Sequence, residues 1–357
     1  MQTTLTPQNT INPAALNALV GQMLGDVGAA VNGALVVLGD RLGIYESLAQ
    51  GPATPRGLAE RTGLDERYLR EWLSAQTASG YVTYDADSTE FSLTPEQVAV
   101  FADPNSPVAM TGGYYGISSV YNDEPKIAEA FRTGKGLSWG DRHTCLFCGV
   151  ARFFRPGYAT HLVSEWIPAL DGVEEKLTAG GRVADIGCGH GSSTLIMAAA
   201  YPNSTFHGFD VHEGSIEKAR EHAAEEGLTN VTFSVAKAKD FRGTGYDLVT
   251  TFDALHDMGD PVGAAQHVRK ALAPGGKWLI AEPMAGDSLT ENLNPVSRIF
   301  FGFSTMVCVP TSRSQEVGLA LGAQAGQARL SEVLDAGGFR HVRRAAETPF
   351  NMILEAA

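Results

Sequence analysis

The sequence is short of cysteine and of positive charge, and it lacks a long uninterrupted hydrophobic run. Its 357 residues include four cysteines, too few for a disulfide framework in a chain of this size. Forty acidic residues outnumber 27 Lys and Arg, and the formal net charge of −13 disfavours binding to nucleic acid or to an anionic membrane. The first ten residues show no secretory signal, and polar residues interrupt the most apolar stretch, 29–45. We therefore expect a cytoplasmic globular protein, long enough for two domains.

Glycine is plentiful, and the segment 181–192 uses it in a regular way. The apolar run 183–186 predicts a strand that is buried on both faces. Ser192 and Ser193 are predicted to cap a following helix, 192–200. A strand that turns into a helix through residues without side chains lets backbone N–H groups lie against a ligand. The segment therefore predicts the nucleotide-binding turn of an α/β fold, built on Gly187, Gly189 and Gly191.

Two acidic residues narrow the choice of nucleotide. The fingerprint of NAD and FAD sites is G-x-G-x-x-G, whereas here Ser192 occupies the place of the third glycine. Asp185, inside the strand end, would repel a pyrophosphate but suits the ammonium and sulfonium of S-adenosylmethionine (SAM). Asp210 ends the next predicted strand, 204–210, where a carboxylate can accept hydrogen bonds from both ribose hydroxyls. Together these residues resemble the class I SAM-dependent methyltransferases.

The resemblance implies further cofactor contacts. In that family an acid accepts from the adenine amino group and an apolar residue packs on the ring, roles that fall on Asp240 and Phe241. The stretch 151–158 precedes the first strand, in a region that closes over the methionine end of SAM in related enzymes. Arg155 or Tyr158 is then expected to meet the methionine carboxylate. The neighbours of these motifs complete the predicted cofactor site, namely Cys188, Val211 and Phe252.

The N-terminal segment, 1–105, has the pattern of a winged helix. A long helical pattern is followed by short helices at 55–61 and 66–79 and by a predicted hairpin of strands 81–84 and 90–93. Five arginines and no lysine stand against twelve acids, and the would-be recognition helix begins Asp-Glu, so DNA binding is disfavoured. The segments 40–45 and 58–63 resemble the N-terminal domain of small-molecule O-methyltransferases, which implies a homodimerisation module.

The segment 106–178 is predicted to be a helical linker or lid, rich in aromatic residues. Packing between domains accounts for most of these side chains, but Tyr114 and Tyr115 are candidates for the acceptor pocket. His143, Cys145 and Cys148 invite a metal interpretation, but no second C-x-x-C is present to complete a zinc site. We therefore predict no metal.

After the glycine turn, predicted strands and helices continue to alternate. Their order resembles the seven-stranded sheet of the methyltransferases. Strands are predicted at 231–235, 246–252, 276–282, 341–347 and 350–355. The segment 284–324 interrupts this rhythm and is interpreted as a helical lid over the acceptor pocket. Its candidate acceptor contacts are Phe300, Phe301 and Met306.

One histidine is the candidate catalytic base. His256 follows the strand 246–252 and lies on the same edge of the sheet as the glycine turn. Its unperturbed pKa of about 6.5 suits removal of a proton from an acceptor hydroxyl. The segment 255–257, Leu-His-Asp, resembles the Leu-x-His-Asp-Trp segment that holds the base in O-methyltransferases, although Met258 replaces the tryptophan. Capping of the next helix by His256, and methyl transfer by proximity alone, both stay open.

These predictions combine into one architecture and one activity. The fold class is α/β, a Rossmann-like seven-stranded methyltransferase sheet with an N-terminal winged-helix domain and a helical linker. The predicted domains are 1–105, 106–178 and 179–357. The predicted activity is SAM-dependent methylation of a small aromatic or polyketide-like molecule, on a hydroxyl oxygen, with nitrogen and carbon left open as alternatives. The alternative is a SAM-binding regulatory dimer without turnover.

Overall fold

The computed structural model describes residues 11–357, which divide into two compact units. One unit extends to Tyr114 and the other comprises Tyr115–Ala357. The division places most of the predicted linker in the same unit as the large sheet. The domain boundaries at 105/106 and 178/179 therefore stay predictions.

The first unit is a winged helix behind a long helix. Leu58 and Leu73 are fully buried in its core, and Tyr45 stacks on Phe101 at 5.0 Å. Thr54 accepts from the N–H of Gly57 and so caps the helix that begins at Pro55, as its sequence predicts. The elements are α1 (Pro13–Arg41), α2 (Ile44–Ala49), α3 (Pro55–Thr62), α4 (Glu66–Ala78), β1 (Thr83–Asp85), β2 (Glu90–Ser92) and α5 (Pro95–Phe101), with α6 (Thr111–Thr133) crossing into the second unit.

Much of α1 shows apolar side chains to the surface of its own unit. The helix is long and apolar enough to cross a membrane by length and composition, and it is the one such helix among residues 11–357. This corrects the expectation that no apolar segment reaches that length. The side chains that share this exposure are Leu16, Leu19, Val20, Met23, Leu24, Val27 and Val31.

The second unit is built on a seven-stranded sheet with helices on its faces. Its elements are α7 (Cys145–His161), α8 (Val173–Ala179), β3 (Arg182–Ile186), α9 (Ser192–Ala200), β4 (Thr205–Asp210), α10 (Glu213–Glu225), β5 (Val231–Val235), β6 (Tyr246–Phe252), α11 (Pro261–Ala271), β7 (Leu272–Pro283), α12 (Pro295–Phe303), α13 (Val309–Arg313), α14 (Gly326–Ala336), β8 (Val342–Glu347) and β9 (Asn351–Ala356). A π-helical segment, Ser304–Cys308, joins α12 to α13.

The strand order is β5-β4-β3-β6-β7-β9-β8. The strands from β3 to β7 pair in parallel, and β9 pairs antiparallel with both of its neighbours. The chain adds β4 and β5 on one side of β3 and then crosses to add β6 on the other side. At such a reversal of strand order, the carboxyl ends of the two central strands, here β3 and β6, border the crevice in which open α/β sheets bind ligands. The sheet thus places the glycine turn after β3 beside the segment that follows β6.

The segment 284–324 is helical over 295–313, and this part packs on the helices before the sheet. Its predicted role as a lid stays a prediction. Phe300 is buried in a cluster with Leu146, Val307 and Cys308, and the ring of Phe303 contacts Gly116. This cluster adjoins the residues that follow β6, because Sγ of Cys308 lies within 4.8 Å of the ligand atoms of His256 and Asp257. The lid segment therefore brings apolar side chains close to the polar group around His256.

Candidate active site

The turn after β3 is shaped by three glycines with left-handed backbones, of which Gly189 faces open space. An added Cβ on Gly187 would come within 2.7 Å of the Ala254 side chain, and one on Gly191 within 2.9 Å of Phe233. At Gly189, with φ of +52°, no heavy atom of the described chain lies within 4 Å of that position. Two glycines therefore let the chain pack closely, and the third leaves room for a ligand.

Asp210 ties the end of β4 to the glycine turn. Its carboxylate accepts from the N–H of Gly189 at 3.0 Å and from the N–H of His212 at 2.8 Å. Val211 beside it is 56% exposed and presents an apolar surface to the crevice. The structure thus brings together the turn and the residue predicted to bind ribose.

Asp185 lies inside the protein rather than on the surface of the crevice. Its Oδ2 accepts from the hydroxyls of Ser193 and Thr194 at 2.8 and 2.6 Å, and its Oδ1 accepts from Thr250 at 2.9 Å. Burial raises the pKa of this carboxyl, and the three hydroxyls act in the opposite direction. The residue is 1% exposed, so the structure gives it the role of holding β3, α9 and β6 together.

The sequence predicts that serine caps the helix that follows the turn, but the structure shows no serine cap on this helix. Its N-cap is Gly191, without a side-chain hydrogen bond, and the hydroxyl of Ser193 donates to Asp185 instead. The reason is that the buried carboxylate is the stronger acceptor for a hydroxyl that already faces it.

Several predicted cofactor contacts lie in the core. Phe241 is 2% exposed and packs between Phe209 and His267, whereas the neighbouring Asp240 is exposed. The adenine contacts expected of these two residues stay predictions. Cys188 and Phe252 are also buried, and they support the site from behind.

The two candidates for the methionine carboxylate are placed differently. Arg155 is exposed on α7. Tyr158 is buried, and its hydroxyl donates to Asp253 Oδ2 at 2.8 Å. Burial, with the nearby charge of Asp253, raises the pKa of this phenol well above its usual value. The hydroxyl of Tyr158 therefore holds the carboxylate of Asp253 in place.

The acceptor candidates divide between the two units. Tyr114 belongs to the first unit, where its hydroxyl is hydrogen-bonded to that of Tyr81 at 3.0 Å. Tyr115 belongs to the second unit, with the guanidinium of Arg152 4.9 Å from its ring centroid. Phe300 is buried among neighbours, while Phe301 and Met306 are partly exposed.

His256 lies in a buried group of acids, on a 3₁₀ turn directly after β6. Its Nδ1 is 2.6 Å from Oε2 of Glu282, and its Nε2 is 3.4 Å from Oδ1 of Asp257. The other oxygen of Glu282 accepts from the N–H of Leu255 at 3.0 Å, which fixes the turn that carries the histidine. Cys308, from the segment 284–324, places its Sγ within 4.8 Å of the ligand atoms of His256 and Asp257.

Glu282 was not among the residues predicted from the sequence, and the group around His256 shifts the pKa of its imidazole away from the unperturbed value. Burial acts to lower the pKa of the imidazole, but the carboxylates of Glu282 and Asp257 outweigh it and raise the pKa well above 6.5. The signal for Glu282 was present, because an acid that ends a buried strand beside β6 must lie on the same edge as His256.

His256, Asp257 and Cys308 also have the ligand types that zinc takes. Their ligand atoms lie within 4.8 Å of one another. A metal at this point would occupy Nε2 of His256, so a metal role and a base role for this histidine exclude each other. His143, Cys145 and Cys148 do not converge in this way within the described chain.

Comparisons with known proteins agree with this architecture. Residues 177–334 match the family model described as a methyltransferase domain, and residues 30–102 match the Rv2258c-like winged HTH domain. Aklanonic acid methyltransferase DauC of a Streptomyces species is 36% identical over 116 residues, which are 31% of this chain and 52% of that protein. The chain thus spans about half the length of this curated relative.

Solved methyltransferases share the fold over nearly the whole chain. The mitomycin 7-O-methyltransferase MmcR aligns with a TM-score of 0.68 at 18% identity, covering 96% of this chain and 99% of MmcR. Human N-acetylserotonin methyltransferase in complex with SAM aligns with a TM-score of 0.66 at 15% identity, covering 98% and 99%. The fold is that of the class I SAM-dependent methyltransferases. Within this fold the chain combines a region that matches a methyltransferase domain with one that matches an Rv2258c-like winged HTH domain.

Proposed function

We propose that this protein transfers a methyl group from SAM to an oxygen of a small molecule. The observation that carries the proposal is the open position at Gly189, on the same edge of the sheet as the buried His256–Glu282 pair. Gly189 and Asp210 fit the cofactor, because a backbone without a Cβ and a carboxylate at the end of β4 are what the nucleoside requires. Bound SAM supplies an electrophilic methyl group on its sulfonium.

His256 removes the proton of the acceptor hydroxyl in this proposal. Glu282 accepts a hydrogen bond from Nδ1–H, so Nε2, which lies 3.4 Å from Oδ1 of Asp257, is the nitrogen that takes the proton of the acceptor. The raised pKa makes the neutral imidazole a stronger base for a phenol with a pKa near 10, and because it also favours the imidazolium, turnover is expected to rise as pH increases through the pKa of His256. The apolar cluster around Phe300 excludes water from this side of the site.

We propose a flat, apolar acceptor that carries an ionisable hydroxyl. The aromatic and aliphatic lining of the lid segment favours such a molecule. Relatives are named for comparable acceptors, aklanonic acid and 2-heptyl-1-hydroxyquinolin-4(1H)-one. The alternative, a SAM-binding regulator, predicts binding without any consumption of SAM when the protein is incubated with labelled SAM and a small-molecule extract.

Calorimetry with two matched glycine variants tests cofactor binding. Gly189→Ala places a methyl group where the ligand must lie and is expected to abolish SAM binding. Gly227 has the same left-handed backbone, φ +66°, and the same open surroundings within the described residues. Gly227→Ala therefore carries the same backbone strain and is expected to bind SAM normally. Equal SAM affinity in both variants, or binding of NAD by the wild type, would contradict the proposal.

Extraction of metal tests the base against the zinc interpretation. Dialysis against EDTA is expected to leave turnover unchanged, because the proposed reaction uses the free Nε2 of His256. Loss of turnover that zinc restores would instead assign His256, Asp257 and Cys308 to a metal.

We further propose that the protein is a homodimer that acts in the cytoplasm, with no nucleic acid or membrane as partner. The support is the row of exposed apolar side chains on α1, which needs an apolar cover of matching length. A second copy of the same helix supplies that cover, and the acidic balance of the winged helix disfavours DNA.

A further inference from the structure

Asp253 is the first residue after β6, and its backbone is left-handed, with φ of +49°. Aspartate tolerates this conformation better than most residues, and here it turns the side chain away from the direction of the strand. Its Oδ2 accepts from the hydroxyl of Tyr158 at 2.8 Å, and its Oδ1 accepts from Nδ2 of Asn351 at 2.7 Å. Residues from α7 and β9 thus fix the carboxylate, while the residue keeps part of its surface exposed.

The position of Asp253 is between the glycine turn and the histidine. The next residue, Ala254, is the one that an added Cβ on Gly187 would strike, so this segment touches the turn. The charges of His256 and Glu282 act on the Asp253 carboxyl from the other side. A methyl group that passes from a cofactor on the turn to an acceptor at His256 must cross this region.

The charge of Asp253 is not balanced by its neighbours. Within residues 11–357 its hydrogen-bond partners, Tyr158 and Asn351, are both neutral. His256, whose positive charge acts on the Asp253 carboxyl, is itself paired with Glu282 at 2.6 Å. Burial, helped by the charge of Glu282, raises the pKa of the Asp253 carboxyl to about 7. A carboxylate in this state gains most from a ligand that brings a positive charge.

We infer that Asp253 binds the sulfonium of SAM and discriminates by charge between SAM and S-adenosylhomocysteine (SAH). The inference rests on the proposed function, and it moves to Asp253 the role that the sequence suggested for Asp185. Asp185 is closed off by three hydroxyls, whereas Asp253 is partly exposed at the place where the reacting group must lie. SAM and SAH share the ammonium and the carboxylate, and only SAM carries the sulfonium charge.

Calorimetric titration of SAM and SAH into the wild type and Asp253→Asn tests this inference. Asparagine keeps the size of the side chain and tolerates the left-handed backbone; its Oδ1 can still accept from Asn351, and its Nδ2 can donate to the Tyr158 oxygen, so we expect the variant to fold, with urea unfolding as the check. We expect the variant to lose roughly 10- to 100-fold in SAM affinity and to keep its SAH affinity within about twofold. Asp335→Asn on α14, an exposed site, is the control and is expected to bind both ligands as the wild type does.

The other outcomes separate this inference from the proposed function. If the wild type binds neither ligand, the proposed function fails. If the wild type binds SAM and the variant loses SAM and SAH equally, or loses neither, the sulfonium assignment alone is overturned.

A second measurement on the wild type covers the case in which Asp253→Asn fails to fold. The ratio of SAM to SAH affinity is expected to rise between about pH 6 and 8 as Asp253 ionises. The groups that face Asp253 are Tyr158, Asn351, Glu282 and His256, and of these the pKa values of Tyr158 and His256 are raised well above their usual values. A ratio that does not change across this range would overturn the inference.

Discussion

Nδ1 of His256 and Oε2 of Glu282 are 2.6 Å apart, and both side chains are almost completely buried. The pair joins the turn after β6 to the end of β7, two strands that are neighbours in the sheet. Because the carboxylate binds Nδ1, only Nε2 of the imidazole is left to act on an acceptor. The arrangement therefore fixes which nitrogen is used as well as where the ring lies.

Removal of either member of this pair is expected to slow turnover without loss of the cofactor. His256→Ala should lower kcat by about 10²–10⁴-fold, because a positioned general base contributes that factor. Glu282→Gln should lower kcat by at least about tenfold through loss of the correct tautomer. Steady-state kinetics with an identified acceptor, together with calorimetry of SAM, measures both effects. Normal turnover of His256→Ala would show that proximity alone drives the reaction.

The pKa of His256 is expected to lie well above that of a free imidazole. Because Glu282 and Asp257 stabilise the imidazolium, the pKa in the folded protein exceeds 6.5, and Glu282→Gln should lower it. A folded-state pKa above the unfolded value means that the pair stabilises the protein fully below about pH 6.5 and loses this contribution as pH rises through the folded pKa. NMR of ¹⁵N-labelled histidine follows the ring directly. A pKa at or below 6.5 in the wild type would contradict this account.

Asp185→Asn is expected to destabilise the protein rather than to act on the cofactor directly. The amide group would face hydroxyl donors from Ser193, Thr194 or Thr250 and leave a buried hydrogen bond unmade. We expect a loss of roughly 1–3 kcal/mol in the free energy of unfolding, measured with urea against Asp335→Asn as the control. Unchanged stability with lost SAM affinity would return Asp185 to the role first suggested by the sequence.

A charge in the middle of the exposed face of α1 is expected to dissociate the dimer. Leu24 is 70% exposed in the single chain, and Leu24→Glu would bury a carboxylate in the proposed helix interface. Sedimentation velocity should show a dimer for the wild type and a monomer for the variant. Tyr68→Glu on α4, at an 81% exposed position, is the control that should remain dimeric. A monomeric wild type would count against the proposal.

Periodicity and spacing predict the elements of this chain better than the environments of its site residues. The strands Val231–Val235 and Tyr246–Phe252 and the helix Ser192–Ala200 have the predicted bounds, because buried strands and a glycine turn leave local signals. Phe241 shows the limit, since no local signal tells whether an apolar ring after a strand lines the crevice or fills the core. Glu282 shows a second limit of prediction from sequence. Its contact with His256 depends on the register between β6 and β7, which pairs Phe252 with Ala281.

The hydrogen bond from Asn351 to Asp253 has a consequence for the order in which this protein becomes functional during synthesis. Asn351 begins β9, which inserts between β7 and β8 and is the last of the seven strands of this sheet in chain order. The carboxylate after β6 is thus held by two neutral donors only when the final strand has been placed. A nascent chain that carries the glycine turn and His256 still lacks this contact, so its recognition of the cofactor is expected to mature after translation of the whole sheet.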